Sequence, residues 1–417
     1  MLYGCIGEKL GHSFSKEIHG ALSDYNYELR EIPKDALRDF AKERDFKAIN
    51  VTIPYKELIM PYLYYTDPHA KAIGAVNTVV NRDGRLYGYN TDFYGMSALI
   101  SHLGLNLCGK KVAILGSGGT SKTAFAVAKA LGADPIIRVS RSAREDAVDY
   151  DTLYKEHTDA EIIINTTPVG MYPSIDSLSC ELDKFPKLCG AIDAVYNPLR
   201  TRFISLAREL GVPAEGGLYM LVAQAVRASE IFLDTTYPEG TLDRVYSEIL
   251  SRKENIVLVG MPASGKSTVG AILARALSRK LVDTDELIIQ DAGCEIPLIF
   301  KEQGEGAFRD MESIAVSRAA ALCSSVIATG GGAILREENV KALRQNGKVY
   351  FIDRPLSELI PTESRPTSST KEAIEKRYAE RYELYLAAAD VRIPVCTDAE
   401  GVAKTILENF KNEALYT

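Results

Sequence analysis

The sequence predicts an α/β fold in more than one domain, and three observations lead to this prediction. Short β-branched runs alternate with helix-like segments along most of the chain, a pattern typical of sheets covered by helices. Glycine-rich turns at residues 116–119 and 260–265 each stand between an apolar run and a helix-like segment. With 417 residues, of which 46% are hydrophobic, the chain also exceeds the length of one typical domain.

The apolar runs predict the strands of parallel sheets, because helical patterns separate each run from the next. These runs are residues 48–53, 111–115, 136–139, 162–164, 192–195, 256–259, 326–328 and 349–352. A helix-like segment ends in charged residues just before the run at 256. We therefore place a short linker at 251–254, between a first unit at 1–250 and a second at 255–417.

The composition argues against several classes of function. The net charge is −7 and the basic residues are interspersed with acids, which indicates no binding of nucleic acid or of an anionic membrane. No apolar stretch approaches the roughly 20 residues of a membrane span, and residues 1–5 lack the basic start of a signal peptide. We expect a cytoplasmic protein with small-molecule partners.

The seven cysteines are scattered, so we expect them to be reduced and mostly buried, without a disulfide framework or a zinc site.

The first glycine turn predicts a dinucleotide site, because its glycines admit a pyrophosphate at the N-terminus of the following helix. Its residues are Gly116, Ser117, Gly118 and Gly119. Ser121 replaces the third glycine of the usual fingerprint, so a turn that binds nothing is the alternative. After the next strand, where NAD enzymes usually have an acid, the chain has Arg141 and Arg144. Two arginines there favour the 2′-phosphate of NADP, and solvent-facing cations are the alternative.

Motifs on both sides of this turn resemble the shikimate dehydrogenase family in their order. They are His12-Ser13-Phe-Ser15, Asn50-Val-Thr52-Ile-Pro54-Tyr-Lys56, Asn77, Gly88-Tyr-Asn90-Thr91-Asp92, and residues 165–171, 193–201 and 217–224. The resemblance implies a two-lobed dehydrogenase. Its substrate lobe would comprise residues 1–103 and 217–250, and its Rossmann-like NADP lobe residues 104–216.

This resemblance implies that NADPH reduces the ketone of 3-dehydroshikimate. Lys56 would supply charge and a proton, and Asp92 would contact the same hydroxyl; which of them moves the proton stays open. Ser13 and Ser15 would hold the substrate carboxylate, although serines here also fit a helix N-cap. The remaining implied residues are Thr52, Asn77, Tyr196 and Gln224 for the ring and its hydroxyls, and Thr166 and Gly217 for NADP.

The second glycine turn predicts an ATP site. In a P-loop, backbone N–H groups surround the phosphates, the lysine neutralises their β and γ oxygens, and the following hydroxyl ligates Mg²⁺. The apolar run before the turn and the helix-like segment after it supply the context that the motif requires. The residues of the motif are Gly260, Ser264, Gly265, Lys266, Ser267 and Thr268.

The residues after this P-loop resemble shikimate kinase over about residues 255–413. Asp283 and Asp285 lie two residues apart at a strand end, so in extended geometry they would share a face toward the phosphates. The resemblance implies Asp283 for Mg²⁺ and Asp285 for the acceptor hydroxyl, with Asp285 also the candidate for its base. It further implies Arg309 and Arg381 for the shikimate carboxylate, Gly331 and Gly332 beside the ring, and Arg365 on a lid over the transferring phosphoryl group.

The chain departs from both families at a few positions. Lys16 and Gly20 stand where the dehydrogenases usually have Pro and Asn, and residues 140–142 replace Asn-Arg-Thr, so a relaxed preference for NAD or quinate is an alternative. Residues 367–370 replace two leucines that normally follow the lid arginine of the kinases. This departure leaves an impaired kinase as a second alternative.

The product of the first implied reaction is the substrate of the second. The combination implies a bifunctional enzyme of aromatic amino-acid biosynthesis that converts 3-dehydroshikimate to shikimate and then to shikimate 3-phosphate, with NADP(H), ATP and Mg²⁺. A metabolite-sensing regulator built from the same domains is a third alternative. Both a monomer and a homodimer are compatible with the sequence.

Overall fold

A computed structural model describes residues 1–10, 14–144, 146–172, 174–359 and 370–413. The chain divides into two compact units, Met1–Ile249 and Leu250–Thr417. Among the described residues, no helix is long and apolar enough to cross a membrane.

The first unit opens with a mixed sheet and its helices. They are β1 (Tyr3–Gly7), α1 (Ser15–Leu22), β2 (Tyr27–Glu31), α2 (Leu37–Glu43), β3 (Ala48–Val51), α3 (Tyr55–Leu58), β4 (Tyr65–Thr66), α4 (Pro68–Ile73), β5 (Thr78–Arg82), β6 (Arg85–Tyr89) and α5 (Thr91–His102). The strand order in the described residues is β2-β1-β3-β5-β6-β4, with β5 antiparallel to β3 and β6. The expectation of parallel strands is wrong for β5 only, where Asp83 (φ 50°) and Gly84 (φ 77°) form a two-residue hairpin turn to β6; β1 pairs in parallel with β2 and β3, and β4 with β6.

A second, fully parallel sheet follows in the same unit. Its elements are β7 (Val112–Leu115), α6 (Gly119–Ala130), β8 (Ile136–Val139), α7 (Tyr150–Glu156), β9 (Ile162–Asn165), β10 (Gly190–Asp193), α8 (Arg202–Glu209) and β11 (Ala214–Glu215). The order is β11-β10-β9-β7-β8 among the described strands. Every residue of β7, β9 and β10 is buried. Strands buried on both faces are mostly apolar, which is why the sequence pattern located β7 and β9, whereas β10 begins two residues before the run expected at 192–195.

Two helices end the first unit: α9 (Leu218–Leu233), which returns to the first sheet, and α10 (Thr241–Lys253). Helix α9 packs on α1, α5, β3 and β5. Helix α10 runs through most of the predicted linker at 251–254, so this segment is helical and not a separate connection. Arg279 stabilises the last turn of α10, because its guanidinium donates to the carbonyls of Ser251 and Glu254 at the end of the helix.

The second unit is a parallel sheet with helices on both faces. Its elements are β12 (Asn255–Val259), α11 (Lys266–Leu277), β13 (Lys280–Asp283), α12 (Thr284–Ala292), α13 (Ile296–Ala320), β14 (Ser325–Ala328), α14 (Glu337–Asn346), β15 (Gly347–Asp353), α15 (Lys371–Ala388), β16 (Val391–Pro394) and α16 (Ala399–Glu413). The described strands follow the order β13-β14-β12-β15-β16. Side chains of β12 alternate between two cores: Val257 and Val259 in one, Ile256 and Leu258 in the other.

Short 3-10 turns connect several of these elements, at Lys34–Ala36, Met60–Tyr62, Leu182–Lys184, Ala333–Leu335 and Leu356–Glu358. Among the residues that the structure describes, which include all seven cysteines, none of the cysteines forms a disulfide. Cys5 and Cys180 are buried, whereas Cys108, Cys189 and Cys396 are exposed, so the expectation that most cysteines are buried is wrong.

Candidate active sites

The first site is a cleft of about 430 Å³ in the first unit. Lys56 lies on α3, which follows the turn after β3, and Asp92 lies in the first turn of α5. The Nζ of Lys56 donates to Oδ2 of Asp92 at 2.7 Å, and the two side chains are 24% and 16% exposed. An ammonium donor and a carboxylate acceptor therefore lie side by side on the cleft wall.

A buried hydrogen-bond network holds this wall together. Oδ1 of Asn77 accepts from the backbone N–H of Thr91 at 2.7 Å, and the Thr91 hydroxyl donates to Oε1 of Gln224 at 3.3 Å. Asn50 continues the network by donating to the Thr78 hydroxyl at 3.1 Å. The network ties the start of α5, and with it Asp92, to β5 and α9. The sequence patterns gave Asn50 and Thr78 no role, although polar side chains in an apolar strand were an available signal.

The cleft also contains Ser15, Thr52 and Tyr196, together with Asn77 and Gln224. Ser15 is the first residue of α1 and the N-cap position is Phe14, so Ser15 is not the cap of this helix. Burial raises the pKa of the Tyr196 phenol, which keeps it a hydrogen-bond donor at neutral pH. Ser13 lies outside the described residues. Two further residues that the motifs did not indicate, Lys9 and Thr120, line the same cleft.

The first glycine turn follows β7 and leads into α6. Gly116 has φ 117°, and a Cβ there would lie 2.6 Å from Oγ1 of Thr166, so the position requires glycine. Ser121 is buried and donates to the Gly116 carbonyl at 2.7 Å, which closes the turn without a third glycine. The space where Gly118 and Gly119 would carry a Cβ is open, and no described side chain caps α6. This turn fits a pyrophosphate.

The remaining residues predicted for NADP lie at the ends of neighbouring strands. Arg141 and Arg144 are exposed in the loop after β8, where guanidinium groups fit a 2′-phosphate. The Thr166 hydroxyl donates to the Leu115 carbonyl at 2.6 Å, directly after β9. A Cβ on Gly217 would lie 2.2 Å from the Ala194 carbonyl oxygen, so glycine allows α9 to begin against the loop after β10.

The second site is a pocket of about 460 Å³ in the second unit, at the P-loop between β12 and α11. Lys266 is buried, and its Nζ donates to the carbonyls of Gly260 and Met261, both at 2.9 Å. Gly265 precedes α11 with φ 98°, and no described side chain caps this helix. Ser264, Ser267 and Thr268 complete the predicted loop. Backbone N–H groups at an uncapped helix N-terminus, next to a lysine, fit the phosphates of ATP.

Ser267 and Asp283 form the part of this site that fits Mg²⁺. The Ser267 hydroxyl donates to Oδ2 of Asp283 at 2.7 Å, and both groups are oxygen ligands of the kind that Mg²⁺ prefers. Oδ1 of Asp283 accepts from the backbone N–H of Asp285 at 3.0 Å and caps α12. The predicted extended geometry of the two aspartates is therefore wrong. Asp285 belongs to the first helical turn, and the cap brings the two residues together.

The other half of the pocket carries two arginines. Arg309 on α13 donates to Glu312 at 2.6 Å and to Glu305 at 3.0 Å. A Cβ on Gly332 would lie 1.9 Å from Nη1 of Arg309, so glycine leaves the space that the guanidinium occupies. Arg381 on α15 is buried and donates to the Gly331 carbonyl at 3.0 Å. Arg365 lies outside the described residues.

Glu312 is a pocket residue that the motifs did not indicate. Its side chain is 1% exposed. A Cβ added to Gly330 would lie 3.0 Å from its Oε1. Burial raises the pKa of Glu312, and the neighbouring Arg309 opposes the shift. The same Cβ would lie 2.5 Å from Oδ1 of Asp285, so the two carboxyl groups face the same glycine. A buried acid on a helix of mixed composition has no local sequence signal.

Comparisons with known proteins match the two units of the chain to two different families. Residues 5–79 match the family model "Shikimate dehydrogenase substrate binding domain", and residues 262–411 match the model "Shikimate kinase". The shikimate dehydrogenase (NADP(+)) of Clostridium perfringens is 38% identical over 269 residues, which are 60% of this chain and 99% of the relative. That of Moorella thermoacetica is 33% identical over 292 residues, 64% of this chain and 97% of the relative.

Solved structures are similar over the same share of the chain. Shikimate dehydrogenase 1 from Peptoclostridium difficile has a TM-score of 0.55 at 36% identity and covers 60% of this chain and 97% of its own. Shikimate 5-dehydrogenase from Thermus thermophilus, in complex with NADP(H) and shikimate, has a TM-score of 0.54 at 29% identity and covers 60% and 99%. The chain therefore belongs to the shikimate dehydrogenase family, and its second unit carries a shikimate kinase domain.

Proposed function

We propose that the protein catalyses two consecutive reactions: reduction of 3-dehydroshikimate to shikimate with NADPH, and phosphorylation of shikimate to shikimate 3-phosphate with ATP. The dehydrogenase would comprise residues 1–250 and the kinase residues 255–417. The observation that carries the first activity is the Lys56–Asp92 pair at 2.7 Å in a cleft with Thr52 and Asn77. The NADP(+) shikimate dehydrogenases that match 60% of the chain support the same activity.

In the dehydrogenase, the cleft residues would bind and orient the substrate. Ser13 and Ser15 would bind its carboxylate; Ser15 is the first residue of α1, where the helix dipole favours an anion. The ring and its hydroxyls would be oriented by Thr52, Asn77, Tyr196 and Gln224. Gly116–Gly119, Thr166 and Gly217 would hold the dinucleotide, with Arg141 and Arg144 on its 2′-phosphate. Bound NADPH would supply the hydride.

Lys56 would donate the proton that the reduction requires, and Asp92 would position Lys56 and the new hydroxyl. As the ketone oxygen gains negative charge, the Lys56 ammonium stabilises it and donates a proton, and solvent later restores that proton. Asp92 accepts a hydrogen bond from the new hydroxyl and keeps Lys56 in place through the contact described above. Both groups thus act on one oxygen atom, which is the geometry that a carbonyl reduction requires.

In the kinase, the P-loop residues Gly260, Ser264, Gly265, Lys266, Ser267 and Thr268 would bind ATP, with Ser267 and Asp283 toward Mg²⁺. Asp285 would accept the proton of the attacking hydroxyl, at the carboxylate end of the pocket. The substrate carboxylate would lie on Arg309 and Arg381, with Gly331 and Gly332 beside the ring. Arg365 would offset charge on the transferring phosphoryl group.

Mass spectrometry of the products tests both activities at once. The purified chain is incubated with 3-dehydroshikimate, NADPH and ATP·Mg²⁺, and shikimate 3-phosphate is expected. Accumulation of shikimate alone would indicate an impaired kinase. Unchanged 3-dehydroshikimate, in a sample that still binds it, would favour the metabolite-sensing regulator.

A further inference from the structure

The dehydrogenase cleft carries a second lysine, Lys9, to which the mechanism above assigns no role. Strand β1 ends at Gly7, and Lys9 follows it in the connection to α1. Its side chain is exposed and lines the same cleft as Ser15, Thr52 and Lys56. Lys9 therefore presents a flexible cation at the carboxyl end of a strand, where the substrate is expected to bind.

Backbone contacts fix the place from which Lys9 extends. The N–H of Glu8 donates to the Ile53 carbonyl at 3.3 Å, and the N–H of Leu10 donates to Oε1 of Glu31 at 2.7 Å. A Cβ on Gly7 would lie 2.7 Å from Cγ2 of Thr52, so the connection runs in contact with that residue. Hydrogen bonds on both sides of Lys9 thus hold it next to the wall formed by Thr52.

The charges of the cleft do not cancel. Among its described lining residues, the charged side chains are Lys9, Lys56 and Asp92. Lys56 and Asp92 are paired at 2.7 Å, so their charges largely offset each other. No described acidic group lies within ion-pair distance of Lys9. The cleft therefore has a net positive charge that comes from Lys9.

We propose that Lys9 binds the carboxylate of the substrate, an inference that rests on the proposed dehydrogenase function. The serines expected there are neutral donors, whereas an ammonium adds a charge-assisted contact to a carboxylate that leaves water. The four-carbon stem of a lysine lets it follow the anion into a partly open cleft. Lys9 thus selects cyclic monocarboxylic acids over their neutral esters. It is a binding residue and takes no part in hydride transfer.

The test is the kinetics of a Lys9→Met variant of the full chain. The KM for 3-dehydroshikimate is expected to rise about three- to tenfold, the range of a single partly exposed charge pair, with kcat within about twofold. Added NaCl should raise the KM of the wild type, because salt screens the attraction between Lys9 and the substrate carboxylate. The KM of the variant, which lacks this attraction, should stay nearly constant. Shikimate methyl ester, oxidised with NADP⁺, should react equally well with both proteins, since it has no carboxylate.

Lys42→Met is the matched control, because Lys42 is an exposed lysine of the same unit outside the cleft lining. Its KM and salt dependence should equal those of the wild type. The proposal is overturned if Lys9→Met keeps the KM of the wild type, or if it impairs the acid and the methyl ester equally, which would indicate a structural effect. A wild type that does not reduce 3-dehydroshikimate at all would instead refute the proposed function.

Discussion

The side chains of Lys56 and Asp92 meet at 2.7 Å although 36 residues separate them in the sequence. Lys56 follows β3 and Asp92 follows β6, and these strands lie on either side of β5 in the first sheet. Asn77, the residue before β5, accepts a hydrogen bond from the backbone N–H of Thr91 and so fixes the first turn of α5. The pair is therefore positioned by the sheet and not by a local motif.

Removing either member of this pair should abolish most of the reductase activity. Lys56→Met removes the proposed proton donor and the partner of Asp92, so we expect kcat for 3-dehydroshikimate to fall by about 10²- to 10⁴-fold. The rate of shikimate phosphorylation by the same sample should be unchanged, which shows that the second unit is folded, and an unchanged circular dichroism spectrum would show the same for the first unit. Lys71→Met, at an exposed lysine of α4, is the control. A kcat within about tenfold of the wild type would exclude Lys56 as the proton donor.

The contact between Gly332 and Arg309 predicts a defect in shikimate binding by the kinase. An alanine Cβ at position 332 would lie 1.9 Å from Nη1 of Arg309 and must displace that guanidinium. We expect the KM for shikimate to rise about tenfold or more in Gly332→Ala, with the KM for ATP little changed. Gly306→Ala on α13 is the matched control, because no atom lies within 4 Å of its added Cβ. Equal KM values for shikimate in the two variants would contradict this role of Gly332.

The P-loop contains a strained residue, Ala263, whose φ of 66° lies in the left-handed region. That conformation costs an L-residue about 1–2 kcal/mol, and part of the gain from glycine is lost to chain entropy. Ala263→Gly should therefore stabilise the second unit by about 0.5–1 kcal/mol. Ala271→Gly, on an exposed position of α11, should destabilise it by about 1 kcal/mol.

Calorimetry of the full chain distinguishes these two glycine variants, with the kinase transition identified by its shift on addition of ATP·Mg²⁺. The two variants should move that transition in opposite directions. A lower transition temperature in Ala263→Gly would show that the left-handed conformation is not strained in this loop.

The buried histidine His19 predicts a loss of stability in acid. Its ring is fully buried and stacks on Tyr27 with centroids 3.9 Å apart, and burial lowers its pKa to about 3. The unfolded chain has the ordinary value of about 6.5, so between these values the unfolded state binds more protons. Stability that is present above pH 6.5 is therefore lost as the pH falls, by up to about 1.4 kcal/mol per pH unit.

Denaturant unfolding of the first unit at several pH values between 5 and 7 measures this effect. His19→Asn should have a lower stability at every pH but a flatter dependence below 6.5. His69→Asn, at an exposed position, should keep the slope of the wild type. An unchanged slope in His19→Asn would mean that other groups cause the acid sensitivity.

Several elements could be predicted because their signals are local. The buried strands of the second and third sheets are continuous apolar runs, and the two glycine turns stand directly between a strand and a helix. The hairpin at Asp83 and Gly84 also had a local signal, an Asp-Gly pair between alternating strands. The prediction of parallel strands overlooked this signal. The hairpin makes β5 and β6 antiparallel, so the first sheet is mixed.

The sequence by itself determined the two glycine turns, most of the buried central strands and the motif residues, because each depends on side chains within a few positions of one another. The tertiary structure decided what these residues meet. Gln224 reaches Thr91 across 133 residues, because α9 returns to the first sheet. Glu312 faces the same glycine as Asp285, and Lys9 joins the cleft of Lys56. Such contacts depend on how distant elements pack, and no spacing along the chain encodes them.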